Sequence, residues 1–328
     1  MRGLFILNAD AYAKIYGPEE RCAIDELVEV YAPPLTAAAV RERLDVLADA
    51  EVILSGWGMI PLDETVLAAA PKLKAVFYGA GSIRYFTTEA FWDRDIVVTS
   101  AYAGNAQPVM EYTVAAVLFS LKRGWYFARA VRELHSYPPK GAVPGGYGST
   151  VGLIGLGMIG RMVARHLRQF DLHLLAYDPL IGASAAALGV ELCSLDEIFQ
   201  RAHVVSLHAP WLQETVGMIT GAHLASMQPN ATFINTARGA LVREAEMIAV
   251  LQQRPDLQAV LDVTYPEPPP ADSPLYTLPN VVLTPHIAGS MGDECRRMGR
   301  IVVDELRRFV QGEPLQWQVS RAQAQIMA

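Results

Sequence analysis

Cysteine and charge are both scarce in this chain of 328 residues. The three cysteines, Cys22, Cys193 and Cys295, lie far apart and form no C-x-x-C pair. That spacing excludes a disulfide framework and a cysteine zinc site, so no metal is expected and a reducing cytoplasm fits. Charged residues make up 19% of the chain, and acid outnumbers base, 34 to 27, for a net charge of -7. Such a chain offers phosphate backbones and anionic lipids no broad attraction, which sets nucleic acid and membrane aside as partners. Long apolar runs are missing too. The longest, 109–121, is interrupted by Glu111 and falls short of the roughly 20 residues that span a bilayer; it reads as a buried helix. At the N-terminus, residues 4–7 are apolar, but Asn8 and Asp10 follow before a secretory h-region of about 7 to 15 residues could form. This segment reads as a first strand.

Hydrophobic residues, at 52%, are plentiful, and the length suits two globular domains. In residues 1–100, short β-rich runs at 3–7, 51–54, 75–77 and 96–99 alternate with helical stretches at 36–48 and 63–70, which predicts a parallel α/β domain. Between 135 and 149, Pro138, Pro139, Pro144, Gly145, Gly146 and Gly148 erase all periodicity, so the chain crosses there as a loop. The alternation restarts at Thr150, with strands expected at 150–154, 203–207, 231–234, 258–261 and 281–283, a helix to about Phe170 and a strand ending at Tyr177. The fold expected is α/β with two doubly wound parallel sheets. An amphipathic helix at 291–310 is expected to return to the first domain.

Chemistry enters at Gly155, Gly157 and Gly160, a G-x-G-x-x-G directly after an apolar strand and at the start of a helical pattern. The glycines allow a tight turn, a close approach of pyrophosphate to the backbone, and close helix packing, while the helix N-terminus attracts the anion. Asp178 ends the next strand eighteen residues after Gly160, where a carboxylate can accept hydrogen bonds from an adenosine ribose. The following Pro179, Leu180 and Ile181 offer no cation for a 2′-phosphate, which favours NAD over NADP. Arg238, Glu267 and His286 each follow a predicted strand, and strand ends face the ligand crevice of open α/β sheets. An arginine fork can hold a carboxylate bidentately, and a histidine with a carboxylate partner trades protons near neutral pH. The set suits carbonyl–alcohol interconversion.

These residues lie in Asn235-Thr236-Ala237-Arg238-Gly239, in Asp262 with Glu267-Pro268, and in Pro285-His286-Ile287-Ala288-Gly289. In order and spacing, together with the glycine motif, they resemble the D-2-hydroxyacid dehydrogenase family over roughly residues 50–310. The resemblance implies a flavodoxin-like substrate domain, residues 1–103 plus 291–328, and an inserted Rossmann NAD domain, residues 104–290. It implies that Arg238 holds the substrate's carboxylate and carbonyl, that His286 is acid in reduction and base in oxidation, and that Glu267 raises the basicity of His286. For NAD it implies contacts from Val109, Met158, Ile159, His208, Pro210, Thr215, Thr236 and Ala237, the carboxamide being held by Asp262. Trp57, Ala80 and Gly81, at strand ends of the first domain, would bind substrate with Arg238 and His286. The function implied is hydride transfer between NAD(H) and a small 2-hydroxy or 2-oxo acid with D stereochemistry, by a homodimer formed through the apolar helix around Leu118 and Phe119.

The chain departs from the family at Ser82-Ile83-Arg84, where an acidic turn is usual, and at Thr264, where an aromatic is common. Formate dehydrogenases of the superfamily carry Gln at the Glu267 position, so this Glu argues against formate. The length is expected to leave no room for the regulatory domain of longer phosphoglycerate dehydrogenases. Two other readings stay open: a dinucleotide-sensing binding protein like the C-terminal-binding corepressors, and phosphonate-type oxidation with the same three residues. The complete Arg238, Glu267 and His286 set favours an enzyme of 2-hydroxy acids.

Overall fold

The computed structural model describes residues 1–327; Ala328, the last residue of the expected first domain, lies outside them. Two compact units are present, one of residues 1–106 and 290–327, the other of residues 107–289.

The first unit is built on five parallel strands, β1 (Arg2–Ile6), β2 (Glu29–Val30), β3 (Val52–Ser55), β4 (Ala75–Tyr78) and β5 (Val97–Ser100), in the order β2-β1-β3-β4-β5. This is the flavodoxin-like order. Strands β3 and β4 are buried along their whole length, as a parallel sheet covered by helices on both faces requires. The amphipathic helix Cys295–Gln311 belongs to this unit and packs against its first two helices. At Gly299 a Cβ would stand 2.1 Å from the Ile15 carbonyl, so only glycine permits the approach. The chain then adds an antiparallel edge beside β5, with the Ser100 N–H donating to Trp317 and the Val319 N–H to Val98. Fully buried Glu305 anchors this return by accepting the Gln316 and Trp317 N–H groups at 3.1 and 2.8 Å.

The second unit holds seven parallel strands: β6 (Thr150–Ile154), β7 (His173–Tyr177), β8 (Glu191–Leu192), β9 (Val204–Leu207), β10 (Thr232–Asn235), β11 (Gln258–Leu261) and β12 (Val281–Leu283). Their order is β12-β11-β10-β9-β6-β7-β8, the Rossmann arrangement extended by one strand. Side chains alternate across it: Val205, Phe233 and Ala259 join one core, their neighbours Val204, Ile234 and Val260 the other. In register, Ile154 pairs with Tyr177 and Leu207, and Asn235 with Leu207 and Leu261. The strands therefore stop level, and whatever follows them shares one edge.

Several local expectations are corrected. The stretch 36–48 breaks at Arg43 into the helix Ala37–Glu42 and a 3-10 turn, Leu44–Asp49. The apolar run 109–121 is only the later part of the helix Tyr102–Leu121, which tolerates Pro108 within it. The helix 291–310 begins at Cys295, after a 3-10 turn at Gly292–Glu294. Strands β2 and β8, two residues each at sheet edges, and the helix Gly124–Leu134 carry too little pattern or lie too near the Pro/Gly-rich loop to be read. Among the described residues no helix is long and apolar enough to cross a membrane.

Candidate active site

The glycine motif folds as its chemistry requires. Gly155 has φ +91°, and a Cβ there would lie 2.7 Å from the Ala209 nitrogen. At Gly160 a Cβ would stand 2.1 Å from the Gly155 carbonyl, whereas at Gly157 it would meet nothing within 4 Å. The first and third glycines thus answer to packing inside the unit, and the second leaves open space beside the backbone. Gly157 caps the helix Met158–Leu167, whose N-terminus has no side-chain cap. Its N–H groups and positive dipole end suit a pyrophosphate.

Asp178 follows β7 at the adjoining strand end. One carboxylate oxygen accepts the Leu156 N–H at 2.6 Å, the other the Leu180 N–H at 2.8 Å. A carboxylate offers about four lone-pair sites, so two remain for ribose hydroxyls. After β9, the His208 imidazole bonds the Ser206 hydroxyl through Nε2 at 3.0 Å, and burial pushes its pKa down to about 4, so the ring is neutral at physiological pH. The Thr215 hydroxyl donates to the Pro210 carbonyl at 2.6 Å and holds the loop closed. Thr236, buried after β10, shares a 3.2 Å hydrogen bond with Thr113, and Val109 is buried in the helix Tyr102–Leu121. The sequence missed Ser206 and Thr113; ordinary polar residues in strands and helices give no signal.

The Arg238 loop is braced by one side chain. Asn235 accepts the Ala237 N–H through Oδ1 and donates through Nδ2 to the Arg238 carbonyl, both at 3.0 Å. The guanidinium donates to the Ala237 carbonyl at 2.6 Å. Burial draws its pKa below the ordinary arginine value, and the Glu267 carboxylate opposes that shift. A Cβ at Gly239 would lie 2.0 Å from the Thr264 carbonyl carbon, so the loops after β10 and β11 touch backbone to backbone. The Thr264 hydroxyl, in place of an aromatic ring, donates to the Pro266 carbonyl at 2.8 Å.

His286 and Glu267 meet. Histidine Nδ1 lies 2.6 Å from Glu267 Oε1, and both side chains are nearly half exposed. With Nδ1 committed to the carboxylate, Nε2 is the nitrogen free to exchange a proton. His286 holds a left-handed backbone, φ +55°, a strained conformation for a residue with a Cβ.

Asp262 is what holds that strain. Fully buried, it accepts the Thr284 hydroxyl at 2.6 Å and the Ile287 N–H at 2.9 Å through one oxygen, and the Ala288 N–H at 2.8 Å through the other. Its carbonyl accepts the His286 N–H at 3.0 Å. These bonds tie the Asp262 carboxylate to the loop that carries His286 and leave about one lone pair, which is what the expected carboxamide contact would use. Tyr112 extends the chain by a 3.1 Å bond to the Thr284 hydroxyl. In the first unit, Trp57 follows β3, and Ala80 and Gly81 follow β4, their carbonyls held by the Ser100 hydroxyl at 3.0 and 2.6 Å.

The sequence model of the family described as "D-isomer specific 2-hydroxyacid dehydrogenase, NAD binding domain" matches residues 114–288, more than half of the chain. The chain belongs to this family. It is 36% identical over 256 residues to a D-3-phosphoglycerate dehydrogenase of Mycobacterium leprae, a match covering 77% of this chain and 48% of that protein. It is 37% identical over 251 residues to an (S)-sulfolactate dehydrogenase of Chromohalobacter salexigens, covering 75% and 81%. The chain thus spans about half the length of the mycobacterial relative. Among solved structures, the D-lactate dehydrogenase of Aquifex aeolicus complexed with NAD and lactic acid is similar with a TM-score of 0.71 and 25% identity, over 95% of this chain and 96% of that one.

Proposed function

We propose that this member of the D-2-hydroxyacid dehydrogenase family is an NAD-dependent oxidoreductase interconverting a small 2-oxo acid and its D-2-hydroxy acid. The observation that carries the reading is the 2.6 Å His286–Glu267 contact at the strand ends that also present Arg238. Reduction of the C2 carbonyl adds a hydride to carbon and a proton to oxygen. When bound, the dinucleotide supplies the hydride and leaves as NAD⁺. Gly157, the N–H groups of Met158 and Ile159, and Asp178 would hold it, and the open space at Gly157 fits a pyrophosphate. His286 delivers the proton from Nε2 in reduction and takes it in oxidation, Glu267 fixing the ring's orientation through Nδ1. Arg238 binds the substrate carboxylate and polarises the carbonyl. The first unit is the substrate domain, with Trp57, Ala80 and Gly81 as its substrate-binding residues. NADH absorbance followed with a panel of 2-oxo acids tests the reading; no oxidation of NADH with any of them would end it.

NAD(H) is the expected partner, because Asp178 would repel a 2′-phosphate and no cation follows it. Asp178→Ala is expected to weaken NADH and relax the discrimination against NADPH, read as the ratio of kcat/KM for the two cofactors. An unchanged ratio would detach Asp178 from the ribose.

A homodimer and a reducing, cytoplasmic setting complete the proposal. Phe119, Leu134, Tyr137 and Tyr147 are all exposed within a short stretch of the second unit, more apolar surface than a lone chain usually leaves to water. All three cysteines are free thiols. Light scattering at micromolar concentration should give twice the chain mass; the mass of one chain rules the dimer out.

A further inference from the structure

We propose that Trp57 and Tyr85 form an aromatic wall beside the glycine turn, selecting 2-oxo acids whose C2 substituent is aryl or otherwise bulky and uncharged. The inference rests on the dehydrogenase reading and deepens it by naming the substrate class. Strands β3 and β4 are neighbours, with Ser55 paired to Tyr78, so the segments leaving them start side by side at the ligand edge of the first unit's sheet. After β3, the Met59 N–H donates to the Gly56 carbonyl at 3.2 Å and closes a tight turn. Gly58 has φ +91° there, the geometry of the third residue of a type II turn, which places Trp57 at its second position. The Trp57 carbonyl accepts the Asn8 N–H at 2.9 Å, and a Cβ on Gly58 would stand 2.2 Å from Asn8 Oδ1, so the turn is clamped to the end of β1.

Tyr85 joins this turn to the one after β4. Its hydroxyl accepts the Met59 N–H at 3.1 Å and shares a 3.2 Å hydrogen bond with Tyr78, the residue directly before the glycine turn. Its ring is edge-on to Phe86 at 5.3 Å and to Tyr78 at 6.2 Å. Despite these ties Trp57 is 36% exposed and Tyr85 50% exposed. Tyr85, tied through its hydroxyl and ring edges, loses little freedom on contacting a ligand, and Trp57 stands on a turn whose backbone is clamped. Asn8 and the segments 56–58 and 79–82 are uncharged. A phosphorylated or sulfonated substituent would find no counter-charge on these segments, whereas an aryl group would gain apolar contact.

The test is NADH-dependent reduction of glyoxylate, phenylpyruvate and 3-phosphohydroxypyruvate by the full chain, with Trp57→Ala and Tyr85→Ala in parallel. The expected kcat/KM is about 10- to 100-fold higher for phenylpyruvate than for either other acid, and each variant should shrink that advantage by about tenfold. A higher value for glyoxylate or the phosphorylated acid, or an advantage intact in both variants, overturns the proposal. If the wild type reduces none of the three, the wider panel of 2-oxo acids decides the dehydrogenase reading, and calorimetric titration judges the wall by itself. Tighter binding of phenylpyruvate than of glyoxylate, weakened in both variants, supports it; equal binding, or none, overturns it.

Discussion

His286→Ala is expected to lower kcat by about 10² to 10⁴-fold, the range for removal of a general acid, while NADH still binds. The size follows from the geometry. Nδ1 is engaged by Glu267 at 2.6 Å, so the imidazole has one nitrogen left for the substrate oxygen, and alanine offers none. Glu267→Gln should reduce kcat less, because the amide oxygen can still accept a hydrogen bond from Nδ1 and orient the ring. Steady-state rates on the best 2-oxo acid, alongside NADH binding by fluorescence titration, decide the matter. Near-normal turnover of His286→Ala would remove His286 as the proton donor and place that role on another group.

Arg238→Lys should cost nearly as much, about 10² to 10³-fold in kcat/KM, divided between a raised KM and a lowered kcat. A guanidinium has five N–H donors in a planar fork, and the donation from Nη1 to the Ala237 carbonyl leaves the others for a carboxylate and a carbonyl. An ammonium on a flexible stem can serve one of these at a time. The brace from Asn235 to both Ala237 and Arg238 does not depend on the arginine head, so the loop should keep its course in the variant. A kcat/KM within a few-fold of wild type would mean that substrate charge is met elsewhere.

The outline was legible because parallel sheets write themselves in composition. Buried strands are short apolar runs, and the positions that matter follow them, so Gly155, Asp178, Arg238 and His286 could all be picked out as strand-end residues. Elements whose pattern is too short escaped. Strands β2 and β8 have two residues each, and the helix Gly124–Leu134 leads straight into a segment rich in proline and glycine. The break at Arg43 was equally hidden, since alanine, arginine, glutamate and leucine around it favour helix, yet Arg43 leaves the helical region with φ −139°.

By itself the sequence determined the two α/β sheets, the glycine motif with its acid, and the arginine, glutamate and histidine as a chemical set, because each rests on a local pattern or a spacing along one strand–helix unit. Tertiary structure alone decided how these are held. The sheet's level register makes strand ends neighbours although tens of residues separate them, so Glu267 reaches His286 and the loops after β10 and β11 touch at Gly239 and Thr264. It also made Asp262 a support of the strained histidine loop, through contacts with Thr284, Ile287 and Ala288 that no local pattern encodes. Hydrogen bonds between distant segments depend on where strands end in space, and that is set by packing of the whole sheet.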